Sequence, residues 1–226
     1  MLTLLFTLIS PRRAAERIRT KPRWVSVFLL LAAVSTLCFS LNHPSLVQLT
    51  LDHLPRTATN ADKMIVAERL EKELPVQLAF FPVRLFIGWS LFSAVLYFIC
   101  KAFNPPAGIR PGQVISLVVH AEVTSVLASL VTTSGIILQI GTDPAATPLS
   151  LAALAARDQS FIIKSLLTSL NIFTLWKIGI LSTGISILSG FGRVRSLFIV
   201  LLVFALSFSF AIGAMKVLHD QLHLLL

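Results

Sequence analysis

The sequence predicts an all-α protein, built as a polytopic bundle of about five transmembrane helices, and three observations support this fold class. The first is a mean hydropathy of +0.85. The second is composition: of its 226 residues, 55% are hydrophobic and only 13% are charged. A soluble domain usually carries about 25% charged residues. The third observation is a series of apolar runs, each close to the length of about 20 residues that crosses about 30 Å of hydrocarbon.

The first 23 residues are an apolar lead followed by a basic segment. Met1–Ile9 is too short to span, whereas Ser10 and Pro11 are typical of a helix start, with Pro22 just beyond the expected end. An apolar lead joined to a basic helix is typical of the membrane interface. The cations expected to bind anionic lipid headgroups are Arg12, Arg13, Arg17, Arg19, Lys21 and Arg23.

Residues 24–226 are predicted to form a single transmembrane domain. The expected spans cover about residues 24–41, 85–103, 114–140, 173–191 and 196–218. The long connection after the first span contains a predicted helix, Asn60–Leu74, with Asn60 as its cap and Pro75 as its end.

Lysine and arginine in the connections predict the orientation. The N-terminal segment has six of them, the turn Lys101–Arg110 has two, and the turn with Arg193 and Arg195 has two. With five spans these three connections lie on one side, and basic connections favour the cytoplasm. We therefore expect a multi-pass protein of the cell (inner) membrane, with a cytoplasmic N-terminus and the C-terminus outside.

Motifs of enzymatic chemistry are missing from the sequence. It has no nucleophile elbow, phosphate-binding loop, HExxH or CxxC pair, so we predict neither an enzyme nor a cofactor nor a metal. Cys38 and Cys100 both lie in apolar runs and are interpreted as small core residues. The net charge is +9, and six of the 19 basic residues lie between Arg12 and Arg23 beside the first span, which favours lipid over nucleic acid as their partner.

Glu122 is the acid deepest in any predicted span, and its burial is costly unless it has a partner. Lys177 lies in the next span, and one hypothesis pairs it with Glu122 because a pair offsets part of both penalties. The interpretation favoured from the sequence is that Lys177 extends to the headgroups while Glu122 stays neutral and is hydrogen-bonded to serine or threonine. His120 is also intramembrane, but two residues from Glu122 it points about 160° around the helix.

Small residues recur at three- and four-residue spacing on the third and fourth spans, a pattern typical of close helix packing in membranes. The positions predicted to pack are Ser125, Ala128, Thr132, Gly135, Gly179, Thr183 and Ser186.

Three stretches carry a resemblance to a known family. They are Phe6–Pro22 (FTLISPRRAAERIRTKP), Gly112–Leu138, and Ser169–Trp176 (SLNIFTLW) followed by a span with Gly179 and Gly184. In these the chain resembles a bacterial member of the Yip family, five-span membrane proteins named for interaction with Ypt/Rab GTPases in eukaryotes. The family often has an aspartate at the position of Asn171.

Two functional classes follow from these observations. The first is a non-enzymatic scaffold or membrane-organising protein that acts through helix packing, partner membrane proteins or a homo-oligomer. The second is a small transporter or transporter accessory with a polar intramembrane site around Glu122.

Overall fold

The computed structural model describes residues 2–52, 54, 59–103, 108–138, 167 and 170–224. Numbered along the chain, its helices are α1 (Leu2–Ile9), α2 (Pro11–Thr20), α3 (Val25–Asp52), α4 (Asn60–Phe103), α5 (Pro111–Ala121), α6 (Val123–Ile137), α7 (Ile172–Ser189) and α8 (Arg193–Leu224). Among the described residues, five helical segments are long and apolar enough to cross a membrane, with α5 and α6 together forming the third. The predicted all-α bundle is confirmed. The connection predicted for residues 141–169 lies outside the described residues, apart from Leu167.

The third span is the centre of the bundle and the most buried of the five. Leu117, Val118 and Ala121 of α5 lie in one apolar core with Leu181 and Ile185 of α7. Val119, Val123 and Val126 face the other way and form a second core with residues of α3. Because α5–α6 is covered on both sides, polar groups along it are held at fixed positions by their neighbours.

The helices α3 and α4 are longer than the sequence predicted. The prediction that Pro75 ends a helix is wrong, since α4 runs through both Pro75 and Pro82, and α3 runs through Pro44. An internal proline removes one backbone hydrogen bond and weakens a helix. Packing against a neighbour offsets this loss, and the stacked rings of Phe39 and Phe81, 4.8 Å apart, join the two helices at this level.

The N-terminus of α4 is capped by Thr59, so the prediction that Asn60 is the cap is wrong. Thr59 N–H and Oγ1–H donate to Asp62 Oδ2 at 2.8 and 2.7 Å, and Asp62 N–H donates back to Thr59 Oγ1 at 3.2 Å. This reciprocal arrangement is a capping box, and its hydrogen bonds lower the pKa of Asp62.

The N-terminal segment packs into the bundle with its apolar side and faces outward with its cations. Ala14, Ala15 and Ile18 of α2 are buried, and Gln113 Nε2 donates to the carbonyl of Arg19 at 2.8 Å. The predicted headgroup-binding residues are all exposed: Arg12, Arg13, Arg17, Arg19, Lys21 and Arg23. The segment is therefore a docked part of the fold with a basic outer face.

Close packing between α5 and α7 depends on Gly184. A Cβ built at Gly184 would lie 2.3 Å from Leu117 Cδ1, whereas a Cβ at Gly179 meets nothing within 4 Å among the described residues. Gly179 is exposed, so it mediates no close packing between the described helices of one chain. Ser186 has a different role from the one predicted, because its Oγ donates to the Phe191 carbonyl at 2.7 Å in the turn before α8.

Candidate functional site: an intramembrane ion pair and polar cleft

Glu122 and Lys177 meet between the third and fourth spans. Lys177 Nζ lies 2.6 Å from Glu122 Oε1, and the side chains are only 14% and 6% exposed, respectively. A contact at this distance is a charge-assisted hydrogen bond, and low exposure strengthens its electrostatic part. The structure therefore contains the contact of the pairing hypothesis and not the separated arrangement that the sequence favoured.

Glu122 occupies the junction of α5 and α6. Its ψ of −12° departs from the helical value, yet its N–H still donates to the Val118 carbonyl at 3.0 Å. Thr124 Oγ1 donates to the Ala121 carbonyl at 2.9 Å, so this carbonyl at the junction accepts a hydrogen bond from a side chain. The span remains hydrogen-bonded across this local break, and the carboxylate lies at a defined depth.

Lys177 is held by aromatic rings as well as by the carboxylate. Its Nζ lies 5.8 Å from the ring centroid of Phe92 on α4 and 5.7 Å from that of Phe204 on α8. Ser125 Oγ lies 3.5 Å from the same nitrogen. Ring faces attract cations at these distances. The ammonium therefore connects α4, α6, α7 and α8, which makes it a central contact of the bundle.

A cleft of about 330 Å³ opens beside the ion pair, between α3, α4 and α6. We call it the polar cleft. Its polar lining consists of Ser35, Asn42, Glu122, Ser125, Ser129 and Thr132. Its apolar lining consists of Cys38, Phe39, Leu46, Phe81, Leu85, Trp89, Val126 and Ile136. A second hollow of about 270 Å³ shares Asn42, Ser125, Ser129 and Thr132 with it and reaches α7 at Asn171 and Thr174.

This arrangement changes the interpretation of the small residues on α6. Ser125 and Thr132 were predicted to pack helices, but they line the polar cleft, and Ala128 lines the adjoining hollow. Sequence spacing identified the correct face of α6 and assigned it the wrong neighbour. Asn42 was missed as a site residue because the sequence placed it beyond the end of the first span.

His120 is separate from this site. It is buried, and its Nδ1 lies 2.7 Å from the Ser116 carbonyl, one turn earlier on α5. Within the described part of the chain, no three residues of histidine, cysteine, aspartate or glutamate are grouped to hold a metal ion. The site is thus made of an ion pair, hydroxyls and amides.

Asn171 caps α7 at the end of the adjoining hollow. Its Oδ1 accepts from Thr174 N–H at 2.9 Å and from Thr174 Oγ1 at 3.2 Å. Asparagine and aspartate cap helices about equally well. The capping role therefore explains how either asparagine or aspartate can occupy position 171.

Replacing the cap tests this role. Asn171→Ala should lower the free energy of unfolding by about 1 kcal/mol, because it removes the acceptor of an otherwise unpaired helix N–H. Asn171→Asp should keep wild-type stability, since a carboxylate oxygen accepts the same bond. Thermal unfolding in detergent measures both. A loss in Asn171→Asp as large as that in Asn171→Ala would contradict the capping role.

Comparison with known proteins gives one match. A family model described as the Yip1 domain matches residues 5–215, nearly the whole chain. No curated protein and no solved structure matches the chain.

Proposed function

The chain belongs to the Yip1 domain family, and from this premise we propose that it is a non-enzymatic, membrane-organising protein acting through helix packing and partner proteins. It is an integral membrane protein with five helices able to span the bilayer. The observation that carries the proposal is the length of α4. Its 44 residues extend about 66 Å at about 1.5 Å per residue, roughly twice the hydrocarbon thickness.

The N-terminal half of α4, which begins at Asn60 and which we call its outer half, has a surface suited to contact with another protein. Met64, Ile65 and Val76 are 73%, 65% and 59% exposed. Two ion pairs at four-residue spacing, Arg69 with Glu73 and Lys72 with Glu68, run along the same region at 2.9 and 2.7 Å. Exposed apolar residues among charges are typical of interaction surfaces. The polar segment is too charged for the hydrocarbon, so we infer that it meets partners beyond the membrane.

Crosslinking in cells tests this function. A photoreactive side chain placed at Ile65 or Val76 should give discrete adducts with a second protein or a second copy of the chain. The matched control is Leu74, on the half-buried side of the same helix, which should give few adducts. Equal yields from both sides, or no adducts at Ile65 and Val76, would argue against a scaffold acting through this surface.

The proposed orientation puts the N-terminus in the cytoplasm and the extended end of α4 on the far side of the cell (inner) membrane. A reporter active only in the cytoplasm, fused after Leu226, should therefore give no signal, whereas the same reporter before Met1 should be active. The reason is the excess of basic residues in the N-terminal segment and in the turns before α5 and α8. A strong C-terminal signal would refute the proposed orientation.

The basic outer face of α2 is proposed to bind anionic lipid headgroups. Each cation near an anionic leaflet contributes about 1 kcal/mol before screening. Arg12→Gln with Arg13→Gln should reduce the anionic lipid that copurifies with the protein, and added salt should reduce it in the wild type. The control is Arg69→Gln, on the outer half of α4. Equal retention in the α2 variant and the wild type would contradict this role.

A small transporter or transporter accessory is the second candidate, favoured by the fact that the polar cleft is lined by Glu122. Transport would require Glu122 and Lys177 to separate during each cycle. In liposomes, Glu122→Gln should then abolish uptake of a substrate that the wild type carries. Uptake unchanged by this substitution would remove the site from consideration.

A further inference from the structure

Along α6, two hydroxyl groups present hydrogen-bond acceptors to the polar cleft. The hydroxyls of Ser129 and Thr132 donate to the carbonyls of Ser125 and Ala128 at 3.1 and 3.0 Å. A hydroxyl has one hydrogen to donate and two lone pairs. Because each hydrogen is already used within α6, the oxygens of Ser129 and Thr132 offer only lone pairs to the cleft.

Two further acceptors line the same space. Asn42 Oδ1 is buried and has no hydrogen-bond partner among the described residues. Glu122 lines the cleft too, and its bond to Lys177 through Oε1 leaves the carboxylate with further acceptor capacity. A buried acceptor without a partner is costly, and in native proteins such groups usually have one. The cleft therefore accepts hydrogen bonds from N–H or O–H groups of a ligand, and the hydroxyls of Ser35 and Ser125 in the same lining can donate to ligand acceptors.

The charge balance of the polar cleft limits which class of ligand it can bind. The carboxylate of Glu122 is already balanced by Lys177, so a ligand with net charge would bring an uncompensated charge into the membrane interior. The remaining walls are apolar and include Phe39, Phe81 and Leu85. The ligand that fits has a head with donors and no net charge, joined to an apolar tail.

We propose that the polar cleft binds the head of a phospholipid that carries a primary ammonium and no net charge, as in phosphatidylethanolamine. The ammonium donates to the hydroxyl oxygens of Ser129 and Thr132, the phosphate accepts from hydroxyls of the lining such as that of Ser35, and the tails lie along the aromatic wall. A volume of about 330 Å³ accommodates a head group without its chains. This lipid site goes beyond the proposed scaffold function and does not depend on the partner surface of α4.

Native mass spectrometry of the full chain tests the site. The protein is equilibrated with vesicles of equal parts phosphatidylethanolamine, phosphatidylcholine and phosphatidylglycerol. Phosphatidylcholine lacks the N–H donors, so one unmade buried bond should lower its retention about tenfold relative to phosphatidylethanolamine. Phosphatidylglycerol has hydroxyl donors but carries a net charge, and it should be disfavoured at this site.

Two matched variants locate the binding. Ser129→Leu fills the cleft and should remove the preference for phosphatidylethanolamine, whereas Ser134→Leu, exposed on the same helix, should keep it. Unfolding temperatures of both variants establish that each is folded, and Asn42→Leu gives a second test from α3. Equal retention of the ethanolamine and choline lipids, equal effects of the two serine variants, or displacement by free ethanolamine would overturn the proposal.

Discussion

Lys177→Met is expected to lower the free energy of unfolding by about 3–5 kcal/mol. The reason is the carboxylate it leaves behind. Glu122 is only 5% exposed, and Lys177 Nζ is the cation bonded to it. Removing the cation leaves a buried charge that must either remain uncompensated or take up a proton, and both cost free energy.

A double-mutant cycle separates this interaction from the loss of each side chain. Glu122→Gln with Lys177→Met should lose less stability than the two single losses summed, because the double variant contains no unpaired charge. Thermal unfolding in detergent at fixed pH measures all four proteins. A matched control is Lys72→Met. Lys72 forms an exposed ion pair with Glu68, which is expected to contribute about 0–1 kcal/mol to the free energy of unfolding. Simple additivity in the cycle would mean that Glu122 and Lys177 do not stabilise each other.

Gly184→Ala should lower the free energy of unfolding by about 1–3 kcal/mol through overpacking. The added Cβ would lie 2.3 Å from Leu117 Cδ1, and Leu117 is only 2% exposed, so its side chain has little room to move. The same change at Gly179, where a Cβ meets nothing within 4 Å among described residues, should be close to neutral.

Compensation provides the decisive comparison at this position. Leu117→Ala creates the space that Gly184→Ala needs, so the double variant should lose less than the sum of the two single losses. Unfolding in detergent again measures the set. Similar stability for Gly184→Ala and Gly179→Ala would show that α5 and α7 do not approach each other as closely as described.

The sequence predicted the spans well because the bilayer imposes a simple rule of length and hydropathy on them. It predicted helix ends poorly where a proline was involved. Pro75 would end an isolated helix, but α3 lies alongside α4 and supplies the packing that a local pattern does not contain. A helix end that depends on packing against a neighbouring helix cannot be predicted from the sequence of one segment.

The candidate site was partly predictable for a similar reason. Energetic cost raised the pairing of Glu122 and Lys177 as a hypothesis, since each charge is expensive by itself. Asn42 carried no such signal, because an asparagine just beyond a predicted span is ordinary in a loop. The difference between Gly179 and Gly184 was also inaccessible, since both fit a small-residue pattern and only the position of Leu117 distinguishes them.

The docking of α2 has a consequence for how the chain is made. Its buried side meets α5, through Gln113 and the Arg19 carbonyl, and it also packs against α7. The more distant partner, α7, is synthesised about 150 residues after α2, and at about 5–20 residues per second this delay lasts roughly 8–30 s. During that interval the part of α2 that packs against α7 has no α7 surface to cover it. We infer that the nascent segment lies on the lipid surface and transfers to the bundle once the fourth span has been inserted. Protease cutting of stalled ribosome-bound chains would then show late protection of the α2 backbone.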